Sequence, residues 1–215
     1  DMSRLEGSPD AGSESTFDIR TVLNACCSII CSSAQQHDLR FTYRCSGFQH
    51  PYLFGCDIYL RKVLINVLGN SVKYTPEGGR VTFIAEELAC DGKTASYRFT
   101  ISDTGIGMSE SFLRRIFEPF SQANDGTHAG YESTGLGMSI VKKLVDKMGG
   151  TIDISSQVNV GSQFTIELPF TVSETALTAK KEPEQKALPP TPLLGMTVLL
   201  CDDNKMNCDI AEHLL

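Results

Sequence analysis

Apolar residues recur along this chain in two rhythms, one helical and one alternating, and together they predict a domain of mixed helices and strands. Residues 17–36 place Ile19, Val22, Leu23, Cys26, Ile29 and Ile30 at helical spacing. Residues 39–45 alternate and predict a strand. Residues 57–74 predict a second helix whose buried stripe is Leu60, Val63, Leu64, Val67 and Leu68. Pro76 and Gly78-Gly79 end it. Residues 80–88 and 94–102 read as paired strands around a turn at Asp91-Gly92. A strongly amphipathic helix over 136–148 stops at Gly149-Gly150. Two more strands, 151–156 and 163–169, are joined at Asn159-Val160-Gly161. The expected fold class is α+β, a two-layer α/β sandwich with one mixed sheet covered by helices.

The ends of the chain break this rhythm. Residues 1–16 are polar and rich in Gly and Ser, and read as a helix end followed by a loop. Residues 171–194 are rich in Lys, Glu, Ala and Pro, as in a linker. Residues 195–215 then carry one buried-strand pattern, closing on Asp202 and Asp203, and one helical pattern. One strand and one helix do not make a domain, so they read as the opening of a truncated one.

Composition narrows the classes of function. A length of 215 residues holds one full domain plus fragments. A net charge of −7 leaves no excess of cations to replace phosphate counterions, which argues against nucleic-acid binding. Eight cysteines are scattered without a C-x-x-C pair or zinc-like histidine spacing, and read as buried, reduced thiols. No apolar run reaches the ~18 residues needed to span a bilayer, and no signal peptide is seen. The expectation is a cytoplasmic setting, with any membrane anchor upstream in a longer parent.

Three segments suggest chemistry: Asn66-Val-Leu-Gly-Asn70-Ser-Val-Lys73-Tyr74, Asp103-Thr-Gly105-Ile-Gly107 and Thr134-Gly135-Leu136-Gly137. Taken singly, each is an ordinary turn or a solvated helix face. Asn66, Asn70 and Lys73 fall at steps of four and three, on one helix face apart from the apolar stripe. Two amide oxygens there suit Mg²⁺, and the lysine can place a point charge on a phosphate. Tyr74 can pack beside a base or ribose. Asp103, at a strand exit, can accept a hydrogen bond from the exocyclic amine of adenine. Gly105 and Gly107 leave room for backbone to approach that base. Thr134 to Gly137 precede a helix, where backbone N–H groups can cradle phosphate. Residues 121–133 are polar, contain Gly126 and Gly130, and suit a lid. Phe117 and Phe120 read as anchors of the lid's base in the core.

In this order, the segments resemble the ATP-binding domain of sensor histidine kinases and their Bergerat-type relatives. That family carries an Asn box, a D-x-G-x-G box, a Phe box and a T-G-L-G box, matched here by residues 66–74, 103–107, 117–120 and 134–137. The resemblance implies ATP and Mg²⁺ as cofactors. It implies Asn70 as main metal ligand assisted by Asn66, Lys73 and residues 135–137 on the phosphates, Asp103 on adenine, and Tyr74 lining the pocket. It also implies a domain layout: the end of a dimerisation helix and a loop over 1–16, the ATP-binding domain over 17–170, a linker over 171–194, and a truncated receiver domain over 195–215. In an intact receiver, Asp202 and Asp203 would bind Mg²⁺. The parent would be a homodimeric hybrid kinase whose partners are its own dimerisation and receiver domains.

Two departures bear on mechanism. Many such kinases carry Arg or Lys shortly before T-G-L-G, whereas residues 126–133 hold only His128. That leaves a degenerate scaffold as the competing reading. Hydrolytic sister families place a Glu four residues before the metal-binding Asn; that position here is Asn66, which cannot accept a proton from water. The pattern favours transfer to a separate nucleophile over hydrolysis. None of His37, His50, His128 and His213 lies in a helical His-Glu or His-Asp context, so the expected phosphoacceptor is outside this chain.

Overall fold

The computed structural model describes residues 13–45, 47–121 and 135–173. In chain order the elements are β1 (Ser15–Asp18), α1 (Ile19–Gln36), β2 (Arg40–Cys45), β3 (Tyr52–Gly55), α2 (Asp57–Lys73), β4 (Arg80–Cys90), β5 (Thr94–Asp103), α3 (Glu110–Leu113), α4 (Gly137–Lys147), β6 (Thr151–Gln157) and β7 (Gly161–Val172). The strands form one sheet ordered β1-β3-β7-β5-β4-β2, with β6 also paired to β7. Only β2 with β4 is parallel; the other pairings are antiparallel. The mixed sheet and helical layer expected from the sequence are both present.

Alternation along the central strands sends one row of side chains into the core and the other away from it. Val81, Phe83 and Ala85 on β4, Ala95, Tyr97, Phe99 and Ile101 on β5, and Phe164, Ile166, Leu168 and Phe170 on β7 are all buried. They meet the apolar stripes of α1, α2 and α4. Most intervening positions are polar, and some pair across strands, as in Arg98 to Glu167 at 2.6 Å and Ser102 to Gln163 at 3.2 Å. Truncating a central aromatic such as Phe99 to Ala would cost about 3–5 kcal/mol, enough to threaten the domain.

The structure differs from the sequence reading in three short elements, of which α3 is an added turn of helix capped by Ser109. β1 takes Phe17, which the helical pattern had included, because Asp18 caps α1 by accepting from the backbone N–H of Arg20 at 2.9 Å. β3 has four residues, too few to show an alternation, and is held by pairing with β1 and β7. The described cysteines are all free, with Cys26, Cys27 and Cys56 buried and Cys31, Cys45 and Cys90 half-buried.

Candidate nucleotide site

α2 and the exit of β5 build the two walls of a cavity of about 420 Å³. Residues from the sequence motifs line it: Asn66 and Asn70 from α2 with Tyr74 just after it, Asp103 at the end of β5 with Gly107 beyond it, and Gly135 before α4 with Gly137 at its start. An apolar shelf of Ile106, Met108, Phe112, Ile116, Met138 and Phe164 completes it.

Asp103 is the most constrained group. Its Oδ1 accepts the backbone N–H of Gly105 at 3.0 Å and of Ser162 at 3.1 Å. Its Oδ2 accepts the Ser71 hydroxyl at 3.0 Å. Burial pushes the carboxyl above its ordinary value, and these three donors oppose that shift without cancelling it. All three donors are neutral. The result is an acceptor of fixed orientation in a low-dielectric wall, suited to read one N–H of a flat heterocycle.

Ser71 could have been found in the sequence. It sits three residues after Leu68 and four after Val67, within the buried stripe of α2, and is 2% exposed. A hydroxyl at a core position demands a partner. Ser162, reached through the β5–β7 register, carried no such local signal.

The opposite wall brings the metal candidates to a helix start. Asn66 donates from Nδ2 to the Lys62 carbonyl at 2.7 Å, which orients its amide oxygen. That oxygen lies so near α4 that a Cβ built on Gly137 would approach it to 2.9 Å. An amide oxygen, the backbone N–H groups of a helix N-terminus and Asn70 one turn along α2 therefore share one side of the cavity. Among the described residues no cluster of three His, Cys, Asp or Glu side chains could hold a metal ion. A hard cation here would thus take amide oxygens, waters and oxygens of its ligand, the mode that Mg²⁺ tolerates.

The motif glycines serve packing as well as access. A Cβ on Gly105 would meet the Tyr74 carbonyl at 2.6 Å, and one on Gly107 would reach the Gln157 carbonyl at 2.0 Å. Gly107 also holds φ +66°, which disfavours any other residue. Both therefore fit the Asp103 loop against neighbouring backbone, whatever enters the cavity.

Not every candidate lines the cavity. Gly105 and Leu136 stand back from it, and the Lys73 ammonium lies 5.4 Å from the centroid of the Tyr74 ring. Thr134, Asp202, Asp203 and nearly all of the expected lid lie outside the described residues. Phe117 packs against the core, but Phe120 is 71% exposed, which corrects the reading of both rings as core anchors. The φ of +63° at Phe120 turns its ring outward.

A sheet with helices on one face and a cavity between an Asn-bearing helix and a glycine-bracketed carboxylate define an ATP-binding domain of the histidine kinase type. Residues 55–172 match the family described as histidine kinase-, DNA gyrase B-, and HSP90-like ATPases, and the chain belongs to that family. It is 33% identical to the sensor histidine kinase AruS of Pseudomonas aeruginosa over 215 residues, all of this chain and 20% of that protein. It is 38% identical to the virulence sensor protein BvgS of Bordetella bronchiseptica over 158 residues, 73% of this chain and 13% of that protein. The chain thus spans a fifth or less of these relatives. Full-length ShkA, crystallised with AMPPNP, superposes with a TM-score of 0.64 at 30% identity, covering 80% of this chain and 34% of ShkA.

Proposed function

We propose that this chain is the catalytic domain of a hybrid sensor histidine kinase, binding ATP with Mg²⁺ and presenting the γ-phosphoryl group to a histidine on a dimerisation domain. The observation that carries this reading is the Asp103 carboxylate, oriented by three donors in the wall of a cavity whose other side is Asn66, Asn70 and a helix start. Asp103 would hold the adenine amine, and Tyr74 would flank the base or ribose. Asn70, assisted by Asn66, would hold Mg²⁺, which would neutralise phosphate charge. Lys73 and residues 134–137 would meet the phosphates.

In the transfer, a ring nitrogen of the acceptor histidine forms a bond to the γ-phosphorus as the bond to the departing ADP oxygen breaks. With Asn66 one turn before Asn70, no carboxylate stands where a water-activating base would be required. Of the described histidines, His37 caps the end of α1 and His50 is bonded to Glu87. Neither suits the acceptor role. The layout we propose is the one expected from the sequence: a dimerisation-helix end over 1–16, the ATP-binding domain over 17–170, a linker over 171–194 and a receiver start over 195–215, where Asp202 and Asp203 would bind Mg²⁺ once the receiver is complete. Relay to a receiver aspartate, a homodimeric parent and a cytoplasmic setting belong to this proposal. Among the described residues no helix is long and apolar enough to cross a membrane.

Radiolabelled ATP with Mg²⁺ tests the reading. A longer chain that includes the upstream helix should acquire acid-labile label on histidine, and the 215-residue chain alone should acquire none. Label on any histidine of the shorter chain, or none on the longer one, would overturn the assignment. The absence of Lys and Arg from residues 126–133 supports a second reading, a scaffold that does not turn over ATP. Nucleotide binding without any labelling of the longer chain would select it.

A further inference from the structure

One polar group at the cavity has no task in the site as described. The Ser121 hydroxyl is buried and has no hydrogen-bond partner among the described residues. A buried hydroxyl without a partner is unfavourable and calls for an explanation. Its surroundings are built with care. The Phe120 N–H donates to the Gly135 carbonyl at 3.1 Å, and the Ser121 N–H donates to the Glu118 carbonyl at 3.2 Å. Gly135 holds φ +65°, and a Cβ there would meet the Phe120 carbonyl carbon at 2.7 Å and the Ser121 backbone carbonyl oxygen at 3.0 Å. The left-handed turn at Phe120 faces its ring outward and sets Ser121 into the cavity wall. Left-handed backbone at a non-glycine residue is strained and persists where the surroundings enforce it.

We infer that Ser121 is a ligand-contacting residue, its hydroxyl donating to a phosphate oxygen of the bound nucleotide after rotation about its Cα–Cβ bond. This rests on the nucleotide reading above and extends it. The phosphate end is assigned because Phe120, the residue before Ser121, is bonded to the Gly135 carbonyl next to the start of α4, whereas the base reader Asp103 belongs to the β5 side. An unpartnered hydroxyl donor beside backbone N–H groups matches an anion. It also supplies a phosphate contact in a protein whose residues 126–133 lack Lys and Arg.

Calorimetric titration of Ser121→Ala and Ser121→Thr with ATP, ADP and adenosine tests this. Ser121→Ala should bind ATP and ADP about tenfold more weakly, bind adenosine as the wild type does, and melt no lower than the wild type without nucleotide. Ser121→Thr, which keeps the hydroxyl, should recover most of the loss. Unchanged ATP affinity in Ser121→Ala overturns the inference while leaving the nucleotide reading intact. An equal loss for adenosine overturns the phosphate assignment. A wild-type chain that binds none of the three overturns the nucleotide reading and this inference with it.

Discussion

Asp103 and Glu87 lie toward opposite ends of the β4–β5 hairpin, each accepts two backbone N–H groups on one oxygen, and their acidities move in opposite directions. Glu87 takes the N–H groups of Gln49 and His50 at 2.7 and 2.9 Å, the His50 ring Nδ1 at 2.6 Å, and the Tyr97 hydroxyl at 3.3 Å. Burial alone would raise its carboxyl, but the His50 ring and the two N–H groups outweigh burial and hold it below its ordinary value. Asp103 has only neutral donors, and burial wins. Glu87 is saturated by its own chain and ties the 47–51 loop to the sheet. Asp103 is oriented but borders a cavity. On the proposed reading, the difference separates a carboxylate that holds the fold from one that meets the nucleotide.

Removing the structural carboxylate should have the larger effect on stability. Glu87→Ala takes the acceptor from the backbone N–H groups of Gln49 and His50 and from the His50 ring, while the Tyr97 hydroxyl keeps the His50 carbonyl, and should cost about 3 kcal/mol in urea unfolding at pH 7. Nucleotide affinity of the folded fraction should not change. An Asp103→Asn variant should do the reverse. Its amide oxygen can still accept from Gly105 and Ser162, but an amide nitrogen then faces Ser71 and the cavity. Adenine nucleotide affinity should fall by about 1–3 kcal/mol while the melting temperature holds or rises. A variant that loses both stability and affinity would erase the distinction.

Acidity sharpens the contrast because the two linkages have opposite signs. A lowered carboxyl contributes stability that is fully present above its unfolded value and is lost as pH falls through the folded one. For Glu87 that loss begins below about pH 4.5, so the gap between the wild type and Glu87→Gln should close there. A raised carboxyl binds its proton more tightly when folded, so Asp103 should reduce stability as pH rises from about 3.8 upward. Unfolding of Asp103→Asn should accordingly gain on the wild type through that window. The same direction in both variants would contradict the assignment. The smallest effect is expected from Asn70→Ala, which should weaken Mg²⁺-ATP binding by about 1 kcal/mol and Mg²⁺-free ATP binding by less. Equal losses with Mg²⁺ and with EDTA would remove Asn70 from the metal.

Much of this was legible in the chain because long, periodic segments declare themselves. The stripe of α2 fixes which face Asn66 and Asn70 share, and the 103–107 turn follows an alternating strand, so both walls of the cavity were foreseeable. β3 was not, because its four residues are ordered by neighbours distant in sequence. Ser162 reaches Asp103 across 59 positions through sheet register alone. The roles of Gly105 and Gly107 were half legible: their need for space was visible, but not that the Tyr74 and Gln157 carbonyls occupy it. Phe120 was misread because aromatic residues are more often buried than not, and only backbone geometry turns this ring outward.

The most direct measurement is calorimetric titration of a non-hydrolysable ATP analogue into the wild type and Asp103→Asn, with Mg²⁺ present. Saturable one-to-one binding by the wild type, weakened at least ~5-fold by the substitution, is the predicted result. No binding by the wild type at millimolar nucleotide, or equal binding by both proteins, would contradict the assignment of this cavity to adenine.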